Sequence, residues 1–503
     1  MNVLAENTKA LNPRGATAPN PWVVGTILTV FLGYFAAQRD FGADGYFIPM
    51  KGLLVAALGL APGLAYFNRV RSGRKQVEPL PYIPLLGLIY TIYYGLPVLL
   101  RDRVTFMSLA PNEIAISEAL DMAILGWVVL LIGYYYAGPR LFALHADRPL
   151  KVSWDEGRAR SLATFLIVTG AAATVISETV PIPSYLVQVL RMLRLMLQLG
   201  LGICIMIDLK GGATRGWRIA LWGFILPAFM LLQLRSGAIG VVVRPLVFVL
   251  FLIWACRFRL PWKSIALLVF LIVILRGAAA EFRTMLWRST DIAESSAIER
   301  TSLYLGTAWS NVTSRPGETI EEAGDLIGSR TAQLALFAYS MHQSPEAIPY
   351  WEGQTYRTLA SSFIPRFIWR DKPSKNVGQR FGHRYAIIHP DDTETAINLP
   401  QLVEFFVNFG PLGVLFGMLG MGLLYSFVCM KLNHANAGEG TTIIGAMIFS
   451  ELVNIESDFS LVFGGLIQTA VILYFVMKFC SPHEKRSSSN LRALDPATLD
   501  STQ

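Results

Sequence analysis

The chain has 503 residues, 53% hydrophobic and 16% charged, with a formal net charge of +8. That balance excludes a soluble globular domain, and the excess of basic residues reads as a topology signal rather than a nucleic-acid surface. Four cysteines, Cys204, Cys256, Cys429 and Cys480, fall in or at the ends of apolar runs and imply no disulfide framework.

Residues 1–21 are polar, and no small-residue cleavage pattern follows the first apolar run, so that run reads as an uncleaved anchor. Hydropathy predicts spans near 22–37, 47–68, 80–100, 119–138, 161–180, 184–208, 217–233, 238–256 and 263–277. The pair around Arg235 reads either as two spans or as a re-entrant hairpin. After a long polar interval come spans at 402–430, 441–456 and 461–479. The expected fold class is an all-α polytopic membrane protein with about twelve transmembrane helices and one large extracytoplasmic loop. Its expected regions are a cytoplasmic segment at 1–21, a membrane region at 22–277, the loop at 278–401, a second membrane region at 402–480 and a cytoplasmic tail at 481–503.

Charge orients these spans. Alternate connections carry Arg69, Arg71, Arg74 and Lys75; Arg140, Arg148, Lys151, Arg158 and Arg160; Lys210, Arg215 and Arg218; and Arg257, Arg259 and Lys263. The connections between them hold Arg39, or Arg101 and Arg103, or no basic residue at 177–184. The positive-inside rule then puts both termini in the cytoplasm, and nine preceding spans put the loop outside.

Within the loop, Ile320, Ala323, Ile327, Leu334, Phe337 and Met341 recur at helical spacing. They predict a helix from Glu318 to His342, carrying Arg330, that lies on the membrane surface or on the bundle. The loop's basic part is RTLASSFIPRFIWRDKPSKNVGQRFGHRY, where Arg357, Arg366, Arg370, Lys372, Lys375, Arg380 and Arg384 stand against one acid, Asp371. Pro365 and Pro373 fix the backbone there, and Gly378 and Gly382 are expected to loosen it on either side of Arg380. Guanidinium forks in such a setting suit phosphate or pyrophosphate. The other reading is a basic collar against anionic lipid headgroups.

Arginines also occur inside predicted spans. Arg191 and Arg194 lie one helical turn apart, roughly 10–15 Å along a helix starting near Ser184. Arg244 is similarly placed before Pro245, Arg235 precedes that span, and Arg276 ends the ninth. Arginine at depth is costly, so these residues point to an anion-lined cavity open to the outside; snorkelling to outer headgroups is the alternative for Arg235 and Arg276.

Neither a metal-ligand spacing nor a nucleotide-binding or nucleophile-elbow motif occurs, so no metal and no cofactor are expected. Proton acceptors on the outer side are Glu404, Glu451, Glu456 and Asp458, with His383 and His389 in the loop. Glu404 sits in an apolar helix, where it is either a proton acceptor or the counter-ion of an arginine.

FIPRFIWRDKP with Gly378 and Phe381, preceded by YWEGQTY and followed by INLPQLVEFFVNFGPLG, resembles the bacterial O-antigen and exopolysaccharide repeat-unit polymerases of the Wzy type. The match runs over roughly 325–425; elsewhere it rests on architecture and the Arg-Ser-Gly turn at 235–237. The resemblance implies a metal-independent glycosyltransferase of the integral-membrane, lipid-linked type in the bacterial inner membrane. Its substrate would be an undecaprenyl-pyrophosphate-linked oligosaccharide, and its partners membrane lipid and the chain-length regulator and flippase of the same pathway. The residues matching the pyrophosphate-binding role are Arg366, Arg370, Lys372 and Arg380, with Arg235; the family's spaced arginine–glycine pattern is not cleanly present.

Glu404 is the first candidate for the base that activates the sugar hydroxyl, with His383 behind it. Trp369, Tyr350, Trp351 and Tyr385 are candidates to stack on sugar faces or to anchor at the interface. An O-antigen ligase would use the same donor. A lipid-linked oligosaccharide flippase is the alternative of another class, and it would need cations in both leaflets.

Overall fold

The computed structural model describes residues 47–73, 77–100, 111–143, 155–180, 182–233, 239–259, 295–314, 332–362, 376–393 and 395–480, with scattered short stretches between them. Helix is the only regular structure among these residues. In chain order the first helices are α1 (Ile48–Arg71), α2 (Tyr82–Tyr90), α3 (Pro97–Leu100), α4 (Glu113–Ile132), α5 (Gly138–Leu141) and α6 (Glu156–Thr179). Next come α7 (Ser184–Leu209), α8 (Arg215–Ala220), α9 (Leu226–Gln233), α10 (Ile239–Arg257), α11 (Ala297–Ser314) and α12 (Ala332–Gln343). The last are α13 (Arg357–Ser362), α14 (Val377–Arg384), α15 (Gln401–Leu432), α16 (Glu439–Leu452) and α17 (Phe459–Cys480). Wider π turns at Thr91–Gly95, Gly133–Ala137 and Leu221–Ile225 lie between α2 and α3, α4 and α5, and α8 and α9.

Six described stretches are long and apolar enough to cross a membrane: Ile48–Arg71, Glu113–Leu141, Glu156–Ser177, Leu186–Leu209, Gln401–Leu432 and Phe459–Val476. Of the predicted spans, 22–37 and most of 263–277 lie outside the described residues. Local chemistry starts several helices. Asn112 accepts from Ala115 N at the head of α4 (2.8 Å), and Asp155 accepts from Arg158 N at the head of α6 (2.8 Å).

α1 packs on α2 and α4, α4 packs along α15, and α12 lies against both α4 and α15. Around α16, α10 and α17 pack, and α7 joins α6 to α10. Close approach depends on glycine. Gly59 and Gly87 face each other across α1 and α2, and Gly133 and Gly422 across α4 and α15, so that a Cβ at any of them would meet the opposite backbone. Small residues at such crossings let membrane helices touch along their backbones, where lipid supplies no hydrophobic drive for association. Polar pins then fix the register. Asn433 accepts from Leu80 N and donates to Leu80 O, both at 2.8 Å, and Trp127 Nε1 donates to Leu58 O at 2.9 Å.

The helix expected from Glu318 to His342 has its described part in α12, which belongs to the bundle rather than to the membrane surface. Leu334 and Phe337 are both 0% exposed. Residues 315–331, including Arg330, lie outside the described residues.

A glycine test follows from these crossings. Gly87→Leu is expected to lower the thermal unfolding temperature in detergent and reduce folded yield, because the α1–α2 contact must open. Gly420→Leu, where nothing lies within 4 Å of the added Cβ, is expected to leave both unchanged.

Candidate functional site

The site begins with a missing donor. Pro411 has no N–H, so the carbonyl of Val407, four residues earlier, loses its intrahelical partner. α15 breaks there: Phe409 and Gly410 leave helical geometry, and Gly410 takes φ +62° and ψ −149°, a backbone region open essentially to glycine alone. A Cβ on Gly410 would also meet Tyr350 Oη at 2.6 Å. The freed carbonyls are taken by another segment. Trp351 N donates to Val407 O at 2.9 Å and Glu352 N donates to Asn408 O at 3.2 Å. This loop turns through Glu352 (φ +49°) and Gly353 (φ +81°) into a short 3-10 turn, Gln354–Tyr356, and α13.

Asn408, 0% exposed, ties the loop down with its side chain. Its Oδ1 accepts from Gly353 N at 2.9 Å, and its Nδ2 donates to Thr355 Oγ1 at 2.8 Å and to Glu404 O at 2.7 Å. Ser460 Oγ, at the start of α17, donates to Thr355 O at 3.1 Å. The YWEGQTY loop is therefore held by the second turn of α15, just before its break, and by the first turn of α17.

Glu404 lies under this loop and is 0% exposed. Its Oε2 accepts from Phe459 N at 2.6 Å, which places the carboxylate on the N-terminal N–H groups of α17. Among the described residues no Lys or Arg forms an ion pair with it, so the counter-ion expectation is replaced by helix capping. Gln401 Nε2 is without a hydrogen-bond partner, while Thr355, Tyr385 and Asn408 are loose partners of Glu404, Trp351 and Tyr356 respectively. Burial, and then the charge of Glu404, hold the Tyr356 phenol above its ordinary range.

The basic helix α14 packs onto the other side of the same loop. Arg380 and Arg384 lie over the Trp351 ring, with guanidinium carbons 5.1 and 4.8 Å from its centroid, and Arg384 also donates to Pro349 O at 2.7 Å. Among the described residues neither arginine has a carboxylate partner. Tyr385 anchors the end of α14: its Oη shares a 2.7 Å hydrogen bond with Ser344 Oγ, and its carbonyl accepts from Tyr339 Oη at 2.9 Å. Gly378 and Gly382 do not loosen the chain as expected. They lie within helix α14, where the missing side chains admit Ile397 against its backbone.

The other predicted residues divide by location. Arg366, Arg370, Lys372, Arg235 and Arg276 lie outside the described residues. Arg191 is exposed and Arg194 half-buried on α7. Arg244, exposed on α10, acts electrostatically on Glu451 of α16, so it has an acidic neighbour. His383 is half-buried on α14, three residues after Arg380. The aromatic residues expected at sugar faces are mostly internal. Trp351 is 1% and Tyr385 0% exposed, and the Trp351 face is occupied by arginine, while Trp369 is 40% exposed. The sequence reading missed Asn408 and the pairing of the YWEGQTY loop with α15. Pro411 was the available signal, since it strands a carbonyl that some other donor must take.

A family model described as a domain of unknown function (DUF8712) matches residues 107–483, the stretch that holds α4 to α17 and the whole site. No curated protein matches the chain, and no solved structure matches it.

Asn408→Ala removes three hydrogen bonds at once, and leaving buried groups unpaired costs about 1–3 kcal/mol each. The variant is expected to unfold at lower temperature and to be cut by protease within 344–358, where the wild type resists. Wild-type protection in that variant would show that the loop is held by other contacts.

Proposed function

Because the chain belongs to this family of unknown function (DUF8712), we propose its activity from its own residues: a repeat-unit polymerase of the Wzy type. It joins undecaprenyl-pyrophosphate-linked oligosaccharides at the outer face of a bacterial inner membrane. The observation that carries the reading is the pair Arg380 and Arg384, stacked on buried Trp351 with no described carboxylate partner. Transfer at an anomeric carbon expels a pyrophosphate-lipid, and fixed guanidinium groups stabilise that developing charge. In the sequence Arg366, Arg370 and Lys372 precede Arg380 by 8 to 14 residues and add to the basic character of the stretch.

Burial reverses the order of the two base candidates. A general base must reach the proton it removes. Glu404 is enclosed and committed through Oε2 to the head of α17. His383 is half-buried on the helix that carries Arg380. We assign proton acceptance from the incoming hydroxyl to His383, and positioning of the Trp351 loop to Glu404.

In this reading about twelve spans cross the membrane, both termini are cytoplasmic, and the polar interval 278–401 faces outside. Reporter fusions at Ala146 and Gly212 are expected to report cytoplasm, and a fusion at Gln343 the outside. A cytoplasmic signal at Gln343 would overturn the placement of the site.

The chemical test is chain formation at matched membrane expression. Arg380→Lys keeps the charge but loses the fork and the stacking plane. Arg380 is exposed, so the loss is expected to come from the bidentate contact to the bound pyrophosphate rather than from a charge already desolvated, roughly tenfold or more. Arg357→Lys, at an exposed position, is expected to cost about 0–1 kcal/mol. His383→Gln is expected to abolish polymer while leaving thermal stability intact, and Glu404→Gln to lower stability as well as activity. Wild-type polymer from Arg380→Lys would reduce the stretch to a basic collar. Deletion is expected to leave one repeat unit on its acceptor; loss of every glycan transfer would instead favour the ligase.

A further inference from the structure

A cleft of about 240 Å³ opens beside the site, between the head of α14, Thr393 with the segment 396–399, and the turn from α16 into α17. Its polar lining is Asn376, Gln379, Thr393, Asn398, Ser457 and Asp458. Carboxamides and hydroxyls both donate and accept, while a carboxylate accepts. Such a set matches a ligand that offers hydroxyl groups in both roles. It does not match phosphate or a uronic acid, because no Lys or Arg lines the cleft among the described residues. The volume is below the roughly 300–1,000 Å³ of sites for drug-sized molecules, so it suits one ring rather than a chain of them. Among the described residues no aromatic residue lines the cleft, which leaves recognition to hydrogen bonds.

The walls are fixed by contacts already in place. Asp458 Oδ1 accepts from Leu461 N at 2.9 Å and caps α17, and Ile397 N donates to Gly378 O at 3.3 Å. Thr393 and Asn398 are exposed side chains with no described hydrogen bond, so they face the opening with their polar groups available. Asp458 is also the residue before Phe459, whose N–H holds Glu404. The cleft therefore abuts Glu404 and shares the head of the basic helix α14 as one wall.

We propose that this cleft is a subsite for one neutral, hydroxyl-rich sugar ring, and that it selects against anionic sugars. Its further role as the acceptor subsite rests on the polymerase reading above; the binding itself does not.

The test is saturation-transfer NMR on the full chain in lipid nanodiscs, which avoids sugar-headed detergents. The probes are the methyl glycosides of glucose, galactose and N-acetylglucosamine, against methyl glucuronide and glucose 1-phosphate. At least one neutral glycoside is expected to bind, and the anionic probes to bind at least tenfold more weakly. Ala396→Trp, which places an indole in the cleft from an exposed position, is expected to abolish that signal. The double variant Thr393→Ala, Asn398→Ala is expected to weaken it at least fivefold, and it carries the test if the tryptophan variant does not fold. Absence of binding by every neutral probe, equal binding of the anions, or full signal in both variants would overturn the subsite. If Ala396→Trp loses sugar binding yet cells still make full-length polymer, the acceptor role falls while the subsite stands. If sugars bind but the Arg380 variants show no effect on polymer, it is the polymerase reading that fails.

Discussion

Pro411 leaves the carbonyl of Val407 without a helical donor, and the backbone N–H of Trp351 supplies one at 2.9 Å. Much of the site hangs from that exchange. In a helix end surrounded by protein, an unpaired carbonyl is costly, so the broken helix holds the incoming loop by a backbone contact that does not depend on side-chain identity. Gly410 permits the break, Asn408 completes it through three hydrogen bonds, and Tyr350 covers it. The result is a loop with one face against α15 and α17 and the other presenting an indole ring to two arginines.

This arrangement separates two kinds of charge. The acid Glu404 is enclosed, with Oε2 accepting from Phe459 N at the head of α17 and no described cation as partner. The arginines lie across the loop, unneutralised by a described acid and held by stacking instead of ion pairing. Pairing Glu404 with Arg380 would have neutralised both and left little field for an anionic ligand. Keeping the loop between them preserves the positive field on the α14 side.

The remainder of the molecule supplies stiffness. Backbone-to-backbone crossings at Gly59–Gly87 and Gly133–Gly422 bring α1 to α2 and α4 to α15. α12 then fills the angle between α4 and α15 with buried Leu334 and Phe337, and its end receives Tyr385 through Tyr339 and Ser344. Through these contacts α12 joins the bundle and the end of α14 is braced against it.

The sequence by itself determined the helical, membrane-compatible character of the chain. Hydropathy and span length are local properties, legible in runs such as Gln401–Leu432, and so is the clustering of basic residues between Arg357 and Arg384. The roles of individual side chains were not legible, because they depend on pairings between distant segments. Only the tertiary structure decided that Glu404 faces Phe459 rather than an arginine, since that contact joins residues 55 positions apart. It likewise decided that Trp351 and Tyr385 are internal supports, and that Gly378 and Gly382 serve close packing. Composition gives a residue its chemistry, but burial and partner choice come from which helices touch, and those contacts are set by glycine crossings and one proline-stranded carbonyl.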